Sequence, residues 1–517
     1  MLSLRRSQGK APGSYQAMSL LKKLAGETAI YGISSILGRL INWVALTPYL
    51  TRVFTTGEYG IVNELYTYIA LLMVLFTYRL ETAFFRYGRE AQNRQRAFRT
   101  ASVSIMGTAI PLLALLIGLA PAIAAWLKYP DQIEYVVLFS VIVVLDALAA
   151  IPFAQLRLEG RPTRFAAIKL GAIFINIVIL FFMLEAAPRL QAAGWQHIAG
   201  WYDPADRIAY VFWANLLASA LTLVWLAPLY FRRKGEVAPW FDAGLWRQMM
   251  AYGLPLVLAG LAGVVNQLIG VPLLKAWASP DLEFNKSLAG IYAAAAKLAI
   301  LMNLFIQAFN YAAEPFFFRY TAQNDNKAIF GLVARAFALV GSLAFLGIVF
   351  YVDLIQYFLG RDFREGLGIL PILLAANFFL GLYFNFAMSY KLTDQTPIGG
   401  YIALGGMAIT LAVNWLFIPS MGYSAPAWAS LGCYGFMGVA SYWVGRRIMP
   451  VNYPVAIMAR YLLLALGLYA LSTAFQAWLS PALPLKMAVH TALLLAYVGV
   501  LYRWEGPWWK GANINAD

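Results

Sequence analysis

The chain has 517 residues, 61% of them hydrophobic and 12% charged, with a net charge of +15 and a mean hydropathy of +0.66. A soluble protein carries roughly a quarter charged residues and under half apolar ones, so this composition excludes a water-soluble enzyme, a disordered chain and a disulfide scaffold. The lone Cys433 leaves no intrachain disulfide, and the basic excess is read first against a membrane surface rather than against nucleic acid.

In chain order, residues 1–27 are polar and basic (Arg5, Arg6, Lys10, Lys22, Lys23) and lack the short apolar core of a cleavable signal peptide. They read as a cytoplasmic tail. Met18 opens Met-Ser-Leu-Leu-Lys-Lys, an equally good start, which makes 1–17 an extension without a role. A helix needs about 20 apolar residues to cross the hydrocarbon core. Fourteen such spans are predicted near 28–51, 59–82, 101–127, 133–155, 166–186, 208–231, 248–274, 288–313, 329–352, 367–390, 398–418, 424–446, 457–479 and 486–503. The run 395–445 has no charge and is divided by a turn at Pro419-Ser-Met-Gly-Tyr423. The alternating ten-residue segments of a barrel are absent. The fold class is therefore an all-α polytopic membrane protein of about 14 helices.

Lys and Arg favour the loops on the N-terminal side by about three to one, while the acids show no such bias, as the positive-inside rule expects. Both termini, 1–27 and 504–517, are then cytoplasmic. In this count only Arg39 and Lys297 among the bases, and Asp146 among the acids, lie within spans.

Landmarks recur. Tyr31-Gly32, Gly60 and Phe84-Phe85-Arg86-Tyr87 in the first half are matched in order by Tyr252-Gly253, Gly290 and Phe317-Phe318-Arg319-Tyr320 in the second. Six spans separate the copies, an even number, so the repeat is parallel rather than inverted. The expected organisation is an N-lobe at 28–231, a cytoplasmic linker at 232–247, a C-lobe at 248–447 and an appended helix pair at 457–503.

The stretch Tyr31-Gly32, Pro48, Leu50-Thr51-Arg52, Glu58-Tyr59-Gly60 and Glu81-Thr82-Ala83-Phe84-Phe85-Arg86 resembles the start of the polysaccharide-biosynthesis membrane proteins, the O-antigen (lipid-linked oligosaccharide) flippases. These belong to the superfamily of multidrug, oligosaccharidyl-lipid and polysaccharide exporters. Tyr252-Gly253-Leu254-Pro255-Leu256 looks like the opening of their second lobe, and Arg79 stands where that pattern has a small residue. The resemblance implies a V-shaped, alternating-access transporter in the bacterial inner membrane that carries an undecaprenyl-diphosphate-linked sugar unit. Its implied partners are that lipid-linked substrate, membrane lipids, and the polymerase and glycosyltransferases of the pathway.

Such a substrate needs a wet, cationic cleft. Arg39 lies mid-span, where a charge costs about 2.5–3.5 kcal/mol on insertion scales. It shares a face with Ser35 and Asn42 at i, i+4, i+7. Lys297 would supply a second cation from the other lobe, or reach the outer headgroups. Arg39 would bind the diphosphate or be neutralised by Asp146. Asn303, Gln307, Asn310 and Glu314 form a polar stripe that must face the cleft or another helix, since lipid would leave it unsatisfied. Interhelical glue is the alternative for that stripe, and Asn176, Asn266, Gln267, Asn377 and Asn385 are weaker cases of the same kind. Asp146 or Glu314 would serve in a salt bridge or as a proton or sodium site, coupling transport to an ion gradient. Arg86 and Arg89, with Arg94, Arg96 and Arg99, crowd the loop after span 2 and would set topology or capture substrate at the cytoplasmic face.

Phosphate-cradling loop, zinc-ligand pattern and nucleophile elbow are all missing, so neither catalysis nor a cofactor is expected, and His197 and His490 read as structural. The competing readings are a peptidoglycan-precursor flippase, a multidrug/cation antiporter, which should favour acidic cleft residues, and, more distantly, an O-antigen polymerase or ligase.

Overall fold

The computed structural model describes residues 36–195, 197, 200, 202–231, 239–323, 328–393, 395–480 and 482–511, without the side chains of 91, 312, 314–323, 328–329 and 507–511. Ser35, the Tyr31-Gly32 landmark, the N-terminal tail and residues 232–238 of the expected linker lie outside these residues, as do the side chains of Glu314 and of the second Phe-Phe-Arg-Tyr copy. In lipid every backbone N–H and C=O must be satisfied within the chain, and the described residues accordingly form helices and no strands.

We label the long helices α1 (36–53), α2 (Thr56–Thr77), α3 (Ala91–Gly118), α4 (Ile133–Leu158), α5 (Pro162–Phe181), α6 (Arg207–Leu226), α7 (Ala243–Leu268), α8 (Leu282–Leu298, resuming as Ile300–Gln323), α9 (Ala328–Phe350), α10 (Leu370–Leu392), α11 (Pro397–Met421), α12 (Ala425–Ile448), α13 (Val455–Leu479) and α14 (Leu483–Gly511). Among the described residues, twelve helical stretches are long and apolar enough to cross a membrane. One of them, Pro397–Ile448, holds both α11 and α12. Large apolar side chains stay exposed over their outer faces: Trp478 by 81%, Leu495, Leu463 and Leu416 by 66% each. That surface suits lipid and would aggregate in water. The chain is a multi-pass membrane protein.

The element ends follow local chemistry. Thr55 caps α2 in a reciprocal box with Glu58, Asp242 caps α7 through Leu245 N at 2.9 Å, and Asp281 caps α8 through Glu283 N at 2.9 Å. The expected turn at Pro419–Tyr423 narrows to its second half: α11 runs through Pro419 to Met421, and the chain turns at Gly422, whose φ of +53° suits a residue without Cβ. Helix α3 starts at Ala91, about ten residues before the expected 101, so Arg94, Arg96 and Arg99 belong to a helix rather than to a loop. Residues 243–247, read as linker, are the first turns of α7.

Packing sorts the helices. Helix α4 lies against α2, α3, α5 and α6; α10 packs on α12, α11 on α7 and α12, and α9 on α10; α13 and α14 dock on α9 and on each other. The two sets meet along α2, which packs on α7 and α8. There the two landmark glycines touch: a Cβ on Gly290 would collide with the Thr56 carbonyl and stand 3.1 Å from Gly60 N, and one on Gly60 would collide with the Lys286 carbonyl. Thr56 and Ser287 share a hydrogen bond at 2.7 Å beside them. Gly360 N donates to Thr51 Oγ1 at 3.0 Å, Arg52 donates to the Tyr357 carbonyl at 2.6 Å, and Trp43 stacks on Phe358, so this end is sealed.

At the opposite end the contacts differ in kind. Tyr78 and Arg79 both adopt positive φ (32° and 58°), which breaks α2 and starts the short helix Leu80–Tyr87. A Cβ on Gly253 of α7 would stand only 3.1 Å from the Tyr78 carbonyl oxygen, and one on Gly260, on the same face, would collide with the Arg79 guanidinium. Trp246 Nε1 donates to Ser104 Oγ at 2.7 Å.

Because backbone, not a movable side chain, opposes any Cβ at Gly290, a Gly290→Leu protein is expected to lose about 1–3 kcal/mol of stability. Gly263→Ala, where nothing lies within 4 Å, should change little. Thermal unfolding of the two purified proteins in detergent is the check.

Candidate functional site

One cavity, of about 880 Å³, opens among α1, α2, α4, α5 and α6, with Leu268 of α7 and Lys297 of α8 closing it from the second set. Helix α2 is its wall. Tyr59, Val62, Asn63, Tyr66, Met73 and Thr77 share one helical face, at separations of three, four and seven residues, and line the cavity. Gly60 and Glu64 lie one turn apart on the face turned toward the second set.

The lining is charged for a membrane interior. Arg79, Arg157, Lys169 and Lys297 supply four cations against the carboxylates of Glu81 and Asp146, with the amides of Asn42, Asn63, Asn176 and Asn215 among them. Lys169 is the cation whose charge bears on Asp146, which also meets the Ser219 hydroxyl. Asn215 donates to Tyr66 Oη at 3.3 Å. Arg157 lies over the Phe85 ring at 4.7 Å, and Lys169 over Phe153 at the same distance. Lys297 ends the first segment of α8, where the helix dipole favours a cation. The break that follows is held by Asn377, which donates to the Ala299 carbonyl at 3.3 Å.

Arg79 approaches Glu81 at 3.7 Å, yet its Nε and one Glu81 oxygen are buried without a hydrogen-bond partner. Orphaned polar atoms at a cavity wall call for an explanation. A polar ligand or water would supply the missing partners.

The expected site residues divide. Asn42, Asp146 and Lys297 line this cavity, and so does Asn176. Arg39 is exposed on α1 and is not among the lining residues; it makes no ion pair with Asp146, and its charge is felt instead at Lys169. Asn303, Gln307 and Asn310 are half-buried on the second segment of α8, outside the lining. Asn266 is buried glue, donating to the Ala403 carbonyl at 3.1 Å and accepting from Thr410.

Arg86 sits over the Tyr252 ring at 4.6 Å and Arg89 is exposed. Arg96 pairs with Asp242, and Arg99 is buried over Trp240 at 5.0 Å, so part of the basic cluster binds α3 to the start of α7. His490 is buried against Ser472 and the Phe350 carbonyl.

Sequence reading missed Lys169, Arg157 and Arg79 in the cavity, having counted them with the loops. It also missed Glu64, a carboxylate inside a span, whose position within an apolar run was a usable signal. The count of only Arg39, Lys297 and Asp146 within spans is thereby corrected.

A thiol reacts with polar reagents only where water reaches it. In a Cys433→Ala background, a cysteine at Asn176 should react with a water-soluble methanethiosulfonate at least about tenfold faster than one at buried Asn414 or Asn266. Labelling rates from mass spectrometry of the intact protein decide it.

Comparison with known proteins fits this architecture. A curated relative, "Lsg locus putative protein 1" of Haemophilus influenzae (strain ATCC 51907 / DSM 11121 / KW20 / Rd), is 22% identical over 354 residues, 66% of this chain and 78% of the relative. Among solved structures, the lipid II flippase MurJ in an inward closed conformation superposes with a TM-score of 0.67 at 11% identity, covering 92% of this chain and 98% of that one. An inward-facing multidrug resistance MATE family transporter of the MOP superfamily gives 0.61 at 12% identity, covering 82% and 94%. Residues 24–321 match the family described as polysaccharide biosynthesis protein. The chain belongs to that family and is a membrane transporter of its flippase type.

Proposed function

We propose that the protein flips a polyprenyl-diphosphate-linked oligosaccharide across the bacterial inner membrane, an undecaprenyl-diphosphate O-antigen unit being the substrate implied by the sequence resemblance. The observation that carries this reading is the cavity lined by four cations and only two carboxylates. Its volume of about 880 Å³ is near the upper end of the roughly 300–1,000 Å³ range of ligand sites, enough for a charged headgroup and a few sugars. A diphosphate would neutralise the excess cations, and the amides and Tyr66 would hydrogen-bond sugar hydroxyls, leaving the apolar tail to lipid.

The two copies of the repeat act as two lobes in this reading, spanning 28–231 and 248–447 as the landmarks suggest, with fourteen crossings and both termini cytoplasmic. The Gly60–Gly290 end then faces outward and is closed. Alternating access requires that seal to part while the Tyr78–Gly253 end tightens.

A peptidoglycan-precursor flippase remains the second reading, since a lipid-linked diphosphate would suit the same cations. A carrier of cationic drugs fits the cavity poorly, because four fixed positive charges oppose its cargo.

Charge-assisted hydrogen bonds to phosphate are worth about 1.5–3 kcal/mol each. Lys169→Ala and Lys297→Ala should each weaken binding of a short-chain polyprenyl diphosphate by about ten- to a hundredfold and slow glycolipid translocation in proteoliposomes, whereas Lys297→Arg should retain most of both. Unchanged binding in both alanine proteins would overturn the cationic-site reading.

A further inference from the structure

Outside the cavity the most strongly built polar cluster lies on the other face of α2. Glu64 and Lys275 are 2% and 5% exposed. They come from the two helix sets and pair at 2.9 Å, Lys275 sitting in the short helix Gly270–Trp277. Both carboxylate oxygens are taken: Oε1 accepts from Lys275 at 3.0 Å and Tyr68 at 3.1 Å, and Oε2 accepts from Tyr129 at 2.6 Å. Lys275 also donates to the Leu127 carbonyl and stands 3.7 Å from the Tyr129 ring centroid. Glu64 is one helical turn from Gly60, so the pair lies directly beneath the glycine seal.

The charged and titratable groups around Glu64 come from every packed element. Tyr68 is on α2, Tyr129 and Lys128 follow α3, Lys275 is on the short helix, and Lys286, on α8, lies 5.3 Å from the Tyr129 ring. All are hydrogen-bond donors or cations. The Lys275 ammonium at 2.9 Å favours the ionised carboxylate in the sealed state, and the two tyrosine hydroxyls can donate to it.

Parting the seal removes Lys275 from Glu64, because it lies across the interface that must open, whereas Tyr68 and Tyr129 belong to the same set as Glu64 and stay with it. A carboxylate that keeps two tyrosine hydroxyls but loses its only paired cation is costly while still largely buried, and taking a proton from water removes the charge. We infer that Glu64 is a proton-binding site read out by the seal: ionised and paired with Lys275 when this end is closed, protonated when it opens. The chemistry is one O–H bond formed by a proton from the aqueous phase on that side, while Lys275 keeps its own proton and enters water. Opening therefore carries one proton into the protein, which couples the conformational cycle to pH. The inference rests on the alternating-access reading given above, but concerns no substrate.

The test uses the full chain in nanodiscs, with spin labels on cysteines replacing Pro130 and Phe284, both exposed on opposite sides of the seal, in a Cys433→Ala background. Interspin distances are measured from pH 8 to pH 5.5. The open-to-closed ratio should rise on acidification by up to about tenfold per pH unit, the limit for one proton. In Glu64→Gln the ratio should lose its pH dependence and favour the longer distance at every pH. The charge swap Glu64→Lys with Lys275→Glu should restore a closed population and its pH dependence. A Glu64→Gln protein that titrates like the wild type, or a wild-type distance that ignores pH, overturns the inference. Either result leaves the cationic-cavity reading untouched, since that rests on diphosphate binding.

Discussion

The contact between Gly60 and Gly290 holds the arrangement together. Without a Cβ on either residue, α2 and α8 approach until backbone meets backbone, and no larger residue at either position allows that distance. In lipid, where apolar burial offers helices little advantage over acyl chains, small residues at a crossing and polar contacts beside it supply the cohesion. The Thr56–Ser287 bond, the Thr51–Gly360 bond and the Glu64–Lys275 pair all gather around this crossing. Each is polar and each is reversible by water. A seal built in this way is strong while dry and weak once wetted, a property that suits the proposed separation of this helix pair.

Helix α2 thereby serves two environments at once. One of its faces is cavity wall, the other is seal, and both are read by neighbours at spacings of three and four. The break at Tyr78 and Arg79 ends this double role. Two consecutive residues in the left-handed region carry a conformational cost, and the short helix that follows brings Glu81 and Phe85 to the cavity. Arg79, which departs from the family pattern, is thus a cavity residue as well as the hinge of the helix.

Charge within the apolar belt takes two physical forms. Glu64 with Lys275, and Arg335 with Glu505 at 2.6 Å, are closely paired and shielded, their hydrogen bonds offsetting the cost of desolvation. Lys169, Arg157 and Arg79 instead border a cavity, where water keeps them charged at less cost and leaves them available to an anion. The first form fixes how helices meet. The second makes a site.

Composition, run length and the Lys/Arg bias were enough to read a helical multi-pass membrane protein, because the thickness of the bilayer and its lack of hydrogen-bonding partners act on each segment independently. Lys297, Asn42 and Asp146 stood out for the same local reason, as polar residues inside apolar runs. Arg39 stood out equally and lies outside the cavity, since a position along one helix does not reveal which face meets which neighbour. Lys169, Arg157 and Arg79 were lost among loop charges because a basic side chain near a helix end looks alike whether it reaches headgroups or turns into a cleft. Sequence by itself determined that the chain crosses the membrane as helices; only the tertiary structure decided which charges share a cavity and which seal it, because burial and pairing depend on helices far apart in the chain.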